Sequence, residues 1–189
     1  MQTKELYDAD YYFNHLGSTP YAYCEPWLSF FSAVADALIT RFSPRRVLDA
    51  GCAIGLLTKA LQLRGVDAYG VDVSQYAIQV AGANGTRNCT RGGLEDFRSD
   101  IEFDLVTCIE VFEHMSPEQS EAAVENLTLL TNTVVFSSTS SDFEEPTHIN
   151  VQPQEYWDEL FKRYGFVVTG EDVSVICPWA KVYRKLERY

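Results

Sequence analysis

The fold this sequence predicts is a doubly wound α/β sheet, and three observations predict it. From residue 46 onward, short apolar runs alternate with helix-length segments, the pattern of parallel strands joined by crossover helices. A small-residue turn, Asp49-Ala50-Gly51-Cys52-Ala53-Ile54-Gly55, separates the first of those strands from its helix. The strand after that helix ends in an acid, Asp72. Strand, glycine-bearing turn, helix, strand and terminal acid together outline a nucleotide-binding βαβ unit.

Each element has its own justification. Residues 1–26 are unusually aromatic, with Tyr7, Tyr11, Tyr12, Phe13, Tyr21 and Tyr23 set among polar residues and broken by Pro20 and Pro26. This stretch is too polar and too interrupted for a core helix. A docked N-terminal lid is the expectation, with plain packing against the domain as the alternative. From Pro26 to Phe42, Leu28, Phe31, Val34, Ala35 and Leu38 repeat at helical spacing, and Pro44 stops the helix. Arg46–Asp49 reads as a strand, Leu56–Arg64 as a helix and Ala68–Asp72 as a strand. Ser74 is the N-cap candidate for a helix reaching Ala83. Cys89–Gly92 is a short strand, and Asp104–Ile109 is the apolar run of a buried parallel one. Pro117–Leu130 is a helix, with Ser116 and Gln119 offering a capping box and Pro117 its first position. Asn132–Ser137 is a strand, and Gln154–Tyr164 a helix closed by Gly165. Val167–Val175 and Lys181–Leu186 are two last strands able to pair as a hairpin.

A chain of 189 residues suits one domain with a full hydrophobic core. No apolar run approaches the ~18 residues of a membrane span, and the polar start, Met1 to Leu6, lacks a signal-peptide core. The cysteines, Cys24, Cys52, Cys89, Cys108 and Cys177, are odd in number, scattered, and without a C-x-x-C pair. They read as reduced thiols, not a disulfide framework or a zinc site. A cytoplasmic location is therefore expected, and the N-x-S/T triplets at Asn84, Asn88 and Asn126 are chance matches. The net charge of −12 disfavours polyanionic partners, because nucleic-acid binders carry basic patches that replace phosphate counterions. Basic residues gather only at Arg45-Arg46 and between Lys181 and Arg188. Neither a nucleic-acid nor a membrane partner is expected, and nothing in the sequence fixes an oligomeric state.

The turn decides which nucleotide. A dinucleotide site needs G-x-G-x-x-G, so that backbone can approach a pyrophosphate. Here an acid precedes the first glycine, and Ala53 stands where a middle glycine often sits. A carboxylate there repels a pyrophosphate and suits a ligand carrying positive charge. The stretch resembles motif I, E/D-x-G-x-G-x-G, of the class I S-adenosylmethionine (SAM) methyltransferases, and the resemblance covers nearly the whole chain after residue 40. It implies a Rossmann-like, mostly parallel, seven-stranded methyltransferase sheet with an antiparallel last strand. It also implies a single domain over residues 1–189, with a lid over 1–26 and a core over 44–189. In such a protein Asp49 faces the amino group of SAM, and Gly51 allows close backbone approach. Asp72 accepts from both ribose hydroxyls, while Cys52, Ala53, Gly55, Val73, Leu94 and Ile109 complete the cofactor's surroundings. The adenine lies beside Gly92–Phe97, where Gly93 replaces the usual acid. Either Asp96 or backbone alone then serves its amino group.

Asp104-Leu105-Val106-Thr107-Cys108-Ile109-Glu110-Val111-Phe112-Glu113-His114-Met115 is the second signature. It resembles the F-D-x-V-x-x-x-E-V-x-E-H segment of small-molecule methyltransferases. Strand ends in doubly wound folds line the ligand crevice, which places Glu110 and His114 near the chemistry. Methyl transfer needs mainly in-line placement of acceptor and sulfonium, and a hydroxyl acceptor also needs a base. His114 has a suitable ordinary pKa, and His148, in the loop from Ser138 to Gln154, is a second candidate. Glu110, Glu113, His114 and His148 also resemble the metal-binding constellation of two methyltransferase groups. One methylates the 2′-hydroxyl of small RNA ends, the other phenolic hydroxyls in ubiquinone biosynthesis. Two carboxylates and two imidazoles can hold a divalent cation that orients a hydroxyl and lowers its pKa. The plainer reading, preferred here, is metal-free, with Glu113 and His114 orienting the turn. The expected activity is SAM-dependent methylation of a small-molecule acceptor at a hydroxyl, such as a sugar or a natural-product intermediate. N- or C-methylation, and a non-catalytic SAM-binding partner subunit, are the alternatives.

Overall fold

In the computed structural model, which describes residues 6–16 and 19–186, strands and helices alternate in the predicted order. The chain forms two compact units that divide between Gly93 and Leu94. The strand order is β3-β2-β1-β4-β5-β7-β6, the mostly parallel seven-stranded arrangement of the doubly wound class. No helix among the described residues is long and apolar enough to cross a membrane.

The first unit holds β1 (Arg46–Ala50), β2 (Asp67–Asp72) and β3 (Cys89–Arg91). β1 pairs with β2 and β2 with β3, both in parallel. Val47 to Ala50 are all buried, as a strand covered on both faces requires. Helix α2 (Trp27–Phe42) buries Phe31, Val34, Ala35 and Leu38 of the stripe its period predicts, whereas Leu28, in its first turn, is exposed. α3 (Leu56–Leu63) buries Leu56, Leu57, Ala60 and Leu61. Gly55, at its N-cap, has φ 81°, a left-handed conformation that favours glycine. Ser74 caps α4 (Gln75–Ala83) as predicted, its Oγ accepting from the Ala77 amide at 3.0 Å.

The aromatic segment departs from expectation. Ala9–Asn14 forms a short helix, α1, and buries Tyr11 and Tyr12. Asp8 explains its start, because its side chain accepts from the Asp10 and Tyr11 amides. Polarity alone misread this stretch, since the polar residues lie on the outer face of the turn. Residues 1–5, 17 and 18 of the expected lid, and 187–189 at the other end, lie outside the described residues.

The second unit holds β4 (Leu105–Ile109), β5 (Thr133–Ser137), β6 (Phe166–Thr169) and β7 (Lys181–Lys185). β4 and β5 are parallel, while β7 runs antiparallel to both β5 and β6. α5 (Pro117–Leu130) starts with the predicted capping box of Ser116 and Gln119. α6 (Gln154–Arg163) sends Trp157, Leu160 and Phe161 inward. Phe136, Trp157, Phe161 and Tyr183 form an aromatic core, with the last two rings stacked at 4.2 Å. The predicted strand Val167–Val175 is shorter than expected, because β6 stops at Thr169. Gly170 follows, the Thr169 hydroxyl donates to Glu171, and the Ser174 amide donates to Asp172. The Asp172 contact gives a backbone amide a side-chain partner in place of a ladder bond.

Gly70 in β2 has no room for a side chain. A Cβ there would lie 2.7 Å from Cys52 Sγ and 2.9 Å from Cys89 Sγ. Gly82, inside α4, would meet nothing within 4 Å. Gly70→Ala is expected to cost about 1–3 kcal/mol through overpacking, whereas Gly82→Ala should add about 0.5–1 kcal/mol through helix propensity. Urea unfolding of the two variants beside the parent chain checks both signs.

Candidate functional site

The first cluster is built by the turn after β1. The Gly51 and Cys52 amides both donate to the Val71 carbonyl, at 2.8 and 3.0 Å. The turn is thus hooked onto β2. Ala53 has φ 47°, which explains why a glycine often occupies that position. A left-handed alanine costs roughly 1–2 kcal/mol, and its amide has a partner that offsets this. It donates to Asp72 Oδ2 at 2.8 Å, while the Ser74 amide donates to Asp72 Oδ1 at 2.8 Å. Both carboxylate oxygens are held, and each still has lone-pair capacity for a further donor. Burial pushes the Asp72 carboxyl above its ordinary pKa, and the two amides oppose that shift.

Asp49, at the end of β1, is buried, and Thr58 in α3 donates its hydroxyl to Asp49 Oδ2 at 2.9 Å. The aromatic segment lies over this same region. Tyr23 donates its hydroxyl to the Ile54 carbonyl at 2.9 Å, and the Ser74 hydroxyl donates to the Tyr7 carbonyl. The Tyr12 ring sits 5.7 Å from that of Tyr76. Burial raises the Tyr21 hydroxyl well above its usual pKa, and the Asp49 charge adds to the effect. Phe13, grouped with these aromatics in the sequence, is instead exposed.

Of the expected cofactor residues, Asp49, Gly51, Cys52, Ala53, Gly55, Asp72 and Val73 therefore fall in the first unit. Leu94 and Ile109 belong to the second. Leu94 is buried, and its carbonyl accepts from Asn126 at 2.9 Å. Ile109 ends β4 half-buried, and Asp96 is exposed.

The second cluster follows β4. Glu110 has φ 52°, and its amide donates to the Ser137 carbonyl at 3.0 Å. Its Oε1 accepts from the Trp179 indole at 2.9 Å. Glu113 lies in the 3-10 turn Phe112–His114 and is fully buried. Its Oε2 accepts from the Ser138 hydroxyl at 2.9 Å, and among the described residues no donor reaches Oε1. Burial, with the Glu110 charge beside it, pushes the Glu113 carboxyl up to about 8. A proton on Glu113 fills the gap at Oε1, as a cation would.

His114 pairs through Nδ1 with Thr147 Oγ1 at 2.8 Å, and the Thr147 hydroxyl donates to Glu145. His148 Nδ1 donates to the Asp142 carbonyl at 2.9 Å, and the two imidazoles are 4.6 Å apart. Burial, then the neighbouring His148, pulls His114 down to about 4. His114 is therefore neutral across the physiological range, and its titration does not fall where an ordinary histidine's does. Glu113, His114 and His148 each offer a ligand atom, all within 4.8 Å of one another. Glu110 is not in that group; it turns one oxygen to Trp179.

Thr58, Ser138, Thr147 and Trp179 were not singled out by the sequence as chemical groups of the site, and Tyr21 and Tyr23 were expected there only as part of the aromatic lid. Thr58 and the tyrosines become significant only once α3 and the aromatic segment are placed against the motif turn. Trp179 is 69 residues from Glu110 in sequence, so no local spacing links them.

With this geometry in view, comparison with known proteins identifies the class. A family model described as a methyltransferase domain matches residues 20–171. The chain belongs to this family, and it is a class I SAM-dependent methyltransferase domain. Among curated relatives, the ubiquinone biosynthesis O-methyltransferase of Methylococcus capsulatus is 34% identical over 111 residues, covering 52% of this chain and 45% of that protein. The mitochondrial ubiquinone biosynthesis O-methyltransferase of Schizosaccharomyces pombe is 35% identical over 82 residues, covering 39% and 30%. The chain thus spans about half the length, or less, of these relatives. Among solved structures, DesVI of Streptomyces venezuelae aligns with a TM-score of 0.70 at 15% identity, covering 85% of this chain and 92% of that one. The magnesium protoporphyrin IX methyltransferase of Synechocystis, solved with S-adenosylhomocysteine, gives 0.66 at 17%, covering 94% and 98%. At these identities the likeness establishes the fold.

Thr58→Val keeps the shape of the side chain but removes the donor to a buried carboxylate. It is expected to destabilise the chain by about 1.5–3 kcal/mol, the range for hydrogen bonds to charged groups. Chemical denaturation measures it, and an unchanged midpoint would contradict the role given to Thr58.

Proposed function

We propose that this chain transfers a methyl group from SAM to a hydroxyl of a small-molecule acceptor. One observation carries the reading: Asp72, at the end of β2, is gripped by the Ala53 and Ser74 amides beside a motif I turn. A carboxylate so oriented suits the two ribose hydroxyls of SAM. Asp49, steadied by Thr58, suits the cofactor's amino group. Gly51 and Gly55 let the backbone come close, with Cys52, Ala53 and Val73 alongside. The family match spans residues 20–171 and so includes residues of both units. This supports a single methyltransferase domain over 1–189. The aromatic residues of the 1–26 segment, Tyr11, Tyr12, Tyr21 and Tyr23 among them, act as its lid, excluding water from the cofactor.

The acceptor chemistry rests on the second cluster. Glu110, His114 and His148 are the groups that meet the acceptor hydroxyl. His114, neutral through burial, can accept its proton without first losing one. The ubiquinone-pathway relatives are named as O-methyltransferases, which favours oxygen over nitrogen or carbon. The net charge of −12 argues against a nucleic-acid acceptor.

A second reading has its own observation. The buried Oε1 of Glu113 lacks a donor among the described residues, and His114 and His148 lie within ligand range of that carboxyl. Each imidazole has its Nδ1 engaged by an oxygen, the orienting contact that metal-bound histidines carry. These three residues fit a divalent cation. Bound there, it supplies a Lewis acid that lowers the pKa of an acceptor hydroxyl.

Calorimetry with S-adenosylhomocysteine is expected to show one site per chain. Asp72→Ala should weaken binding by about 1.5–3 kcal/mol through loss of a charge-assisted hydrogen bond. Absence of binding by folded parent protein would overturn the reading. A screen of phenols and sugars with labelled SAM then identifies the acceptor. Turnover that ignores chelator removes the cation, whereas turnover lost to chelator and restored by Mg²⁺ or Mn²⁺ establishes it.

A further inference from the structure

Beneath the motif turn lies a pair of thiols whose sulfurs the methyl-transfer reading gives no chemical role. Cys52 is in the turn itself and buried, while Cys89 opens β3 and is partly exposed; both are free. The chain brings them together across β2. Cys52 is fixed by its amide to the Val71 carbonyl, and Cys89 is paired in register with Gly70. Both sulfurs crowd the point where a Cβ on Gly70 would stand, at 2.7 and 2.9 Å from it. Only a glycine in β2 permits this meeting. The Cys52 thiol donates to the Ala53 carbonyl at 3.6 Å, and the closeness of the two thiols lowers the Cys89 thiol and raises that of Cys52.

We propose that Cys52 and Cys89 form a reversible disulfide on exposure to hydroperoxides, and that its formation closes the cofactor site. The proposal rests on the reading of the motif turn as a SAM site. Cys89, the more accessible thiol, attacks the terminal oxygen of the hydroperoxide as thiolate. The O–O bond breaks, an alcohol or water leaves, and Cys89 becomes a sulfenic acid. The Cys52 sulfur then attacks the Cys89 sulfur, the S–O bond breaks, and water leaves. Two thiols are oxidised by two electrons and one peroxide is reduced. An S–S bond of about 2 Å is shorter than any non-bonded sulfur contact, so the two sulfurs must approach, and the bond ties the Cys52 turn to β3. Ala53, the next residue, carries the amide that holds Asp72, and the disturbance passes directly to the ribose-binding carboxylate. A thiol-based reductant reverses it by exchange.

The test uses the whole chain, reduced and then treated with hydrogen peroxide. Peptide mapping by mass spectrometry reads the disulfide, and calorimetry reads S-adenosylhomocysteine affinity. A Cys52–Cys89 crosslink is expected, with affinity lowered at least 10-fold and restored by dithiothreitol. Cys89→Ser is expected to bind like the reduced parent both before and after peroxide. The proposal is overturned if peroxide oxidises other cysteines while these two stay reduced. It is equally overturned if the crosslink forms with affinity unchanged, or if Cys89→Ser loses affinity to the same extent. Failure of the reduced parent to bind at all strikes the methyltransferase reading instead, and the peptide map still decides whether the disulfide forms.

Discussion

The grip on Asp72 is the contact on which the first cluster depends. A carboxylate at the end of a parallel strand is buried at a cost, because its charge loses water. Two backbone amides at 2.8 Å offset that cost, and they do so from opposite sides of the turn. One belongs to Ala53 in the motif loop and the other to Ser74 at the start of α4. The same carboxylate therefore locks the loop, ends β2 and fixes the entry to the following helix. Ala53 can hold its left-handed φ of 47° because its amide is rewarded there. Strain at a binding turn persists where the surroundings over-determine it, and here the Val71 carbonyl holds Gly51 and Cys52 in the same loop.

The second cluster obeys a different constraint, which is the shortage of donors around a buried acid. Glu113 has one oxygen satisfied by Ser138 and one that no donor among the described residues reaches. Burial makes the bare anion of such a group costly. The group takes a proton, which its pKa of about 8 expresses, or it takes a cation. Glu110 escapes the problem by turning to the Trp179 indole. Two carboxylates three residues apart thus play unequal parts, and their surroundings decide which holds charge.

Local rules made most of the fold legible. The capping box at Ser116 and Gln119, the N-cap at Ser74 and the helical stripe of α2 all depend on contacts within a few residues. The order of strands followed from alternation and from the family resemblance. What escaped were features set by tertiary contact. α1 exists because Asp8 caps it and because Tyr11 and Tyr12 find a surface to bury against; composition alone could not supply that surface. The early end of β6 is a local feature that strand patterning passed over: Gly170 follows Thr169, and Asp172 takes the Ser174 amide. In the site, the acids and histidines were readable as types, but their states were not. His114 looked like an ordinary base and is held near 4 by burial.

Gly70 shows how one residue joins these themes. In sequence it is an unremarked glycine within a strand, where it weakens β propensity. In the fold it is the gap through which two sulfurs meet beneath the cofactor turn. Any side chain at that position would push Cys52 outward and drag the motif loop with it. The selection of glycine is therefore a packing requirement of the turn, not a requirement of backbone conformation. The contrast with Gly55 is direct, because there a left-handed φ of 81° demands glycine before any contact is considered. The two glycines serve the same loop by different physics. One permits its shape, and the other leaves room beneath it for the thiols on which its sensitivity to oxidants rests.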